Sequence, residues 1–166
     1  MKERNLEQKK IPMRIDLVRH GMTRGNEERR YIGITDEPLS ERGRKLAEQC
    51  MYERPEIVFS SPLKRCVETA EILYPDQDIY IIEELRECDF GIFEGKNAEE
   101  LSKTEAYQRW IDSNATIPFP GGESREGFRS RCLLGWKKVI SVCQEQQKKS
   151  AAVVTHGGVI MNLMET

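Results

Sequence analysis

The sequence predicts an α/β fold, a three-layer sandwich in which a mainly parallel sheet carries helices on both faces. Two observations support this. Short β-prone runs alternate with longer segments of helical period, the pattern of parallel strands joined through helices. Two of the runs, Ile15 to Arg19 and Ala151 to Thr155, each lead into a histidine followed at once by glycine, at His20-Gly21 and His156-Gly157. The chain's 166 residues contain no other histidine. In open parallel sheets the carboxyl ends of the strands line the ligand crevice. Two imidazoles so placed, one beside Arg19, are expected to share a single site that handles an anion.

Residues 1–12 are mostly polar and charged and read as a frayed tail, leaving residues 13–166 as one domain. The first strand spans about Arg14 to Arg19, and a loop rich in Gly, Asn and charge runs on to Pro38. Ser40 is placed to cap a helix from Glu41 to about Tyr52, and Pro55 ends that stretch. Ile57-Val58-Phe59 is the second strand. Ser61 as cap, with Pro62 in the first helical position, then signals a helix. Leu63, Cys66, Val67, Ala70 and Leu73 recur along one of its faces. Pro75-Asp76 breaks it, and Ile79 to Ile82 forms the third strand. Ala98 to Ile111 reads as one helix anchored by Leu101, Tyr107 and Trp110. After the loop from Pro118 to Gly122, a long helix from about Glu123 to Gln147 turns Phe128, Cys132, Trp136, Val139, Ile140 and Cys143 inward. Ala151 to Thr155 is the last strand, and a helical turn or two follows His156.

Lys and Arg number 26 against 28 Asp and Glu, a formal net charge of −2 that gives no electrostatic reason to expect nucleic acid. No apolar stretch approaches the ~18 residues that cross a bilayer, and the N-terminus lacks the apolar core of a secretory signal. No membrane partner is therefore expected, and the cytoplasm is the expected compartment. Five cysteines (Cys50, Cys66, Cys88, Cys132 and Cys143) form no C-x-x-C pair and leave one over. They read as core thiols, with neither a disulfide framework nor a metal site expected. Cys88 is the candidate for a redox role, because it adjoins a candidate acid.

A neutral imidazole is a competent nucleophile, and arginine offers a fork of donors matched to phosphate oxygens. Arg19 and His20 supply both, while Gly21 lets the backbone turn sharply against a ligand. Arg65 falls in the first turn of the helix capped at Ser61, where free N–H groups favour an anion. A cation in that turn opposes the macrodipole, which suits a residue that has a ligand. Glu87 follows the third strand. Beside a phosphate dianion its pKa would rise, making it a general acid for a leaving alkoxide. Glu84, Asp89 and Glu94 compete for that role, and spacing does not choose among them. His156 precedes two glycines and a helix start, where an imidazole and backbone amides would stabilise a transferring phosphoryl group. Taken singly, Arg19-His20-Gly21 and Arg65 better suit a structural or surface role, and His156 suits either equally.

In order along the chain, the motifs are Arg19-His20-Gly21-Met22-Thr23-Arg24-Gly25-Asn26, the stretch from Gly33 to Gly43, Ser60-Ser61-Pro62-Leu63-Lys64-Arg65 with its continuation to Ala70, Glu87-Cys88-Asp89-Phe90-Gly91-Ile92-Phe93-Glu94-Gly95, Phe119-Pro120-Gly121-Gly122-Glu123-Ser124, and Thr155-His156-Gly157. Across residues 13–164 this series closely resembles the histidine phosphatase superfamily, the phosphoglycerate-mutase-like group. The resemblance implies a phosphohistidine mechanism with no cofactor and no metal. His20 would attack phosphorus and carry the phosphoryl group. Arg19, Arg65 and His156 would clamp its oxygens and Asn26 would add a hydrogen bond, with Gly21, Thr23 and Gly157 completing the substrate-binding set. Glu87 would protonate the leaving group and then activate water. Fixed cations and amide dipoles would do the electrostatic work that magnesium does in kinases.

The Pro120-to-Ser124 segment and the compact Glu87-to-Gly95 motif resemble the α-ribazole phosphatases and their small bacterial relatives. The implied substrate is a small-molecule phosphomonoester, either α-ribazole 5′-phosphate or a sugar phosphate. A cofactor-dependent phosphoglycerate mutase is the alternative, although Gly25 stands where mutases carry tryptophan. Family members also continue through a further helix and strand beyond the region of Thr166, so the sheet is expected to lack them. That difference leaves open a phosphate-binding protein with little turnover, and an exposed sheet edge would suit pairing as a homodimer.

Overall fold

The computed structural model describes residues 13–165, so the expected N-terminal tail lies outside the described residues. In chain order its elements are β1 (Arg14–Arg19), α1 (Arg24–Glu27), α2 (Glu41–Glu48), β2 (Ile57–Ser60), α3 (Lys64–Leu73), β3 (Ile79–Ile81), α4 (Ala98–Leu101), α5 (Glu105–Asp112), α6 (Arg125–Glu145), β4 (Ser150–Thr155) and α7 (Gly157–Met164). The four strands pair in the order β1-β4-β2-β3, every pairing parallel. Parallel neighbours need long crossovers, and the helices between them supply these.

Residue alternation along the strands builds the three layers. Ile57 and Phe59 of β2 and Ala151 and Val153 of β4 face Phe128, Cys132, Val139 and Cys143 of α6 and Val159 of α7. Val58, Ala152 and Val154 point the other way and pack with Val18 against Cys66 and Ala70 of α3. β4 has neighbours on both edges and helices on both faces, and Ala151 to Thr155 are accordingly all buried. That is the environment in which a strand reads as a continuous apolar run.

Several expected boundaries move, each for a local reason. The first long loop contains α1, one turn held by a capping box between Thr23 and Asn26. Ser40 caps α2 through Gly43 N as expected, but the helix stops at Glu48. The residues beyond it find no core, and Met51 is 95% exposed. α3 starts at Lys64 with Leu63 at its cap, while the Ser61 hydroxyl accepts the Leu63 N–H at 3.4 Å and also bonds a histidine ring. The expected helix from Ala98 to Ile111 is two helices. The Thr104 hydroxyl accepts the Tyr107 N–H and starts α5 afresh, while the Thr104 N–H closes on Leu101 O. This is the competition between side chain and helical backbone for which Thr is prone. Ser124, placed one residue inside the expected helix, is the cap of α6.

Candidate active site

β1 and β4 are adjacent and parallel with Arg19 opposite Thr155, so the next residue of each strand leaves the same edge of the sheet. Those residues are His20 and His156. The His20 N–H donates to Thr155 O at 2.9 Å, and the two ring centroids stand 5.1 Å apart in an edge-on arrangement. The expected convergence of the two imidazoles is present.

The His20 ring lies 2.6 Å from Gly21 O through Nδ1. A carbonyl oxygen only accepts, so Nδ1 carries the proton and Nε2 keeps a free lone pair. Burial, helped by the positive charges of Arg65 and Arg19, lowers this histidine to about 4. At neutral pH the ring is therefore an uncharged base aimed through Nε2. His156 is fully buried, with Nε2 2.8 Å from Ser61 Oγ and the Cys66 thiol 3.4 Å away. Burial first, then Arg65 and His20, hold it well below the usual histidine range.

Arg65 decides the electrostatics. Its side chain is completely buried, with one terminal nitrogen donating to Thr35 O at 2.8 Å and the other to Gly33 O at 2.6 Å. Its Nε–H has no acceptor and the guanidinium has no ion-pair partner among the described residues. Neutral carbonyls satisfy donors but do not cancel charge, and an uncompensated buried charge is costly. Beside it Arg19 is exposed, with Nε near Gly157, where an added Cβ would lie 3.6 Å away. Gly157 and Gly158 open α7, so their amides face the same edge. The result is a pair of cationic side chains gathered near the neutral imidazole of His20, an arrangement that suits an anionic group.

Glu87 closes the site. Its side chain is buried, Oε1 accepting Cys88 N–H at 3.0 Å and Oε2 accepting Gly158 N–H at 3.2 Å. Burial raises its pKa against the opposing effect of those bonds and of Arg65 and Arg19. The expected rise from a neighbouring phosphate thus has a second cause, present before any ligand binds. The competing carboxylates are occupied elsewhere: Glu84 with Lys138, Asp89 with Gly91 N–H, and Glu94 with the amides of residues 33–35.

A sequence model of the histidine phosphatase superfamily (branch 1) matches residues 15–166. The chain belongs to the histidine phosphatase superfamily. Phosphoserine phosphatase 1 of Hydrogenobacter thermophilus is 36% identical over 127 residues, covering 72% of this chain and 60% of the relative. Phosphoglycerate mutase-like protein 4 of Arabidopsis thaliana is 34% identical over 162 residues, covering 91% of this chain and 69% of the relative. The chain therefore spans some three fifths to two thirds of the length of these relatives. The crystal structure of the α-ribazole phosphatase from Shigella flexneri superposes with a TM-score of 0.78 at 28% identity, over 92% of this chain and 78% of that one.

Within this superfamily member the remaining expected residues hold the frame. Thr23 is fully buried, and its hydroxyl accepts Asn26 N–H. Asn26 returns the bond through Oδ1 to Thr23 N–H, which leaves the amide nitrogen as the end available to a ligand. The Gly21 N–H donates to Thr69 Oγ1, and that hydroxyl donates to Arg65 O, so the turn after His20 is tied to α3.

Three contributors were not legible in the sequence. Ser61 reads as a helix cap but bonds His156. Glu94 reads as a rival acid but gathers Gly33, Ile34, Thr35 and Phe90 amides, fixing the loop whose carbonyls hold Arg65. Arg131, paired with Glu123, donates to Glu84 O, Arg86 O and Glu87 O and so fixes the backbone that presents Glu87. Each acts across tens of residues, where spacing carries no signal.

Cys88 is buried and its thiol is pushed up to about 12 by burial, so it is protonated at neutral pH and a poor redox centre. Among the described residues no group of three or more His, Cys, Asp or Glu side chains is placed to hold a metal ion, and no helix is long and apolar enough to cross a membrane.

Proposed function

We propose that the chain is a phosphomonoester hydrolase that works through a phosphohistidine on His20 and needs no metal. The observation that carries this is the pairing of a free, neutral Nε2 with a buried Arg65 that makes no ion pair among the described residues. In the first step Nε2 attacks phosphorus in line, and the bond from phosphorus to the alcohol oxygen breaks. The Glu87 proton passes to that oxygen. Arg19, Arg65, His156 and the Gly157 amide hold the three phosphoryl oxygens, with the Asn26 amide nitrogen as a further donor. In the second step the Glu87 carboxylate takes a proton from water, the resulting hydroxide attacks phosphorus, and the bond to Nε2 breaks to release inorganic phosphate. Preorganised donors of this kind each contribute about 10²–10³ in rate.

The substrate is a small phosphomonoester, with α-ribazole 5′-phosphate, sugar phosphates and phosphoserine as the first compounds to try. Against a mutase, Gly25 is packed so that a Cβ would come 2.4 Å from Ile32, leaving no room for the tryptophan expected of mutases. The test is release of phosphate from p-nitrophenyl phosphate in the presence of a chelator, by the intact chain and by His20→Ala. Turnover that resists chelation and vanishes in the variant is expected. Phosphate binding without turnover, or exchange between 2- and 3-phosphoglycerate primed by a bisphosphate in place of hydrolysis, would overturn the reading.

A further inference from the structure

Glu87 and Gly158 line a cleft of about 360 Å³ whose lining includes neither histidine. Its walls are Phe90, Trp110, Ile117, Phe119, Phe128 and Met161. Trp110 stacks on Phe119 at 5.0 Å and Phe90 meets Phe119 edge-on at 5.0 Å, so the aromatic wall is already assembled. The charged groups on the lining are Glu87, Glu123 and Arg125. Glu123 is neutralised by Arg131 at 2.6 Å, and Arg125 is 70% exposed and 4.0 Å from Glu165. The buried Trp110 Nε1–H finds no acceptor among the described residues.

If Glu87 delivers a proton to the departing oxygen, the body of the alcohol lies on the Glu87 side of phosphorus, and Glu87 lines the cleft. We propose that this cleft is the leaving-group subsite and that it selects esters of uncharged apolar or aromatic alcohols over esters whose alcohol bears a carboxylate. The proposal rests on the phosphatase reading and narrows its substrate class. A carboxylate here would lose water against aromatic rings, with only a solvent-exposed guanidinium in return. An aromatic body gains burial instead.

The test compares kcat/KM for 2-phenylethyl phosphate, O-phosphoserine and methyl phosphate, all alkyl esters, on the intact chain and on Ile117→Asp and Met161→Asp. Both positions are exposed at the rim, so the variants retain the core. The phenylethyl ester is expected to exceed phosphoserine by at least about tenfold, within the range that apolar pockets discriminate. Each rim variant should lower kcat/KM for the phenylethyl ester through KM and leave methyl phosphate unchanged. Phosphoserine turned over as well as the phenylethyl ester, or rim variants that slow all three alike, would overturn the subsite while leaving the phosphatase reading intact. Absence of turnover of every ester, p-nitrophenyl phosphate included, would overturn both.

Discussion

At His20 a single hydrogen bond assigns the chemistry. The Gly21 carbonyl accepts a hydrogen bond from Nδ1–H, so the lone pair sits on Nε2 without an external base. In the proposed mechanism the active form pairs this neutral ring with a protonated Glu87. Activity should rise as His20 loses its proton near pH 4 and fall as Glu87 loses its own, above the ordinary carboxylate range. Glu87→Gln should remove the alkaline limb and slow alkyl phosphates by about 10²–10⁴, the usual contribution of a general acid. The same variant should affect p-nitrophenyl phosphate far less, because that leaving group needs no proton. A pH–rate profile for each ester checks this, and equal slowing across leaving groups would remove Glu87 from the acid role. Gly158 offers a subtler probe, since a Cβ there would lie 2.5 Å from Glu87 Oε1. Gly158→Ala is expected to displace the carboxyl and lower kcat for alkyl esters more than for p-nitrophenyl phosphate, in steady-state assays of both.

Elements meet at the site through loops more than through strands. The loop at residues 33–35 holds Arg65 by two carbonyls, and Glu94 holds the loop by its amides. Glu94→Ala should leave the amides of residues 33–35 without their acceptor, of which Gly33 alone is buried, destabilise the fold by about 1–3 kcal/mol and raise KM for phosphate esters. Glu94→Gln keeps one acceptor and should fall between the two, in both thermal midpoint and KM. A loss of midpoint with KM unchanged would mean that the loop does not set Arg65. These long-range ties also mark the limit of what could be read from the chain. β1, β2, β3 and β4 were legible because alternating or continuous apolar runs record which faces are buried. The break at Thr104 was not, because it depends on where one hydroxyl finds its partner. Arg65 could be placed in a helical turn from the sequence, but its burial without a carboxylate could not.

Across the whole molecule, folding and the site are linked through protons. His20 drops to about 4 on folding from an ordinary 6.5, so the folded state holds fewer protons in that window. Its contribution is fully present above about pH 6.5 and is lost as the pH falls toward 4, on the order of 3 kcal/mol at most. His156 acts in the same direction, while Glu87, raised on folding, partly offsets them. Urea midpoints should therefore decline from pH 7 to pH 5, and His20→Gln should flatten that decline. A midpoint that climbs toward pH 5 would contradict the burial of neutral imidazoles. Inorganic phosphate should raise the thermal midpoint by filling the pocket around Arg65, as any ligand of the folded state does.

The most direct measurement is to mix the chain with substrate, quench in alkali within milliseconds, digest, and map the phosphoryl group by mass spectrometry and phosphorus NMR. Phosphate recovered on Nε2 of His20, absent from the peptide that carries His156 and lost on brief acid treatment, is the expected result. A phosphoryl group on any other residue, or turnover that survives His20→Ala, would contradict it.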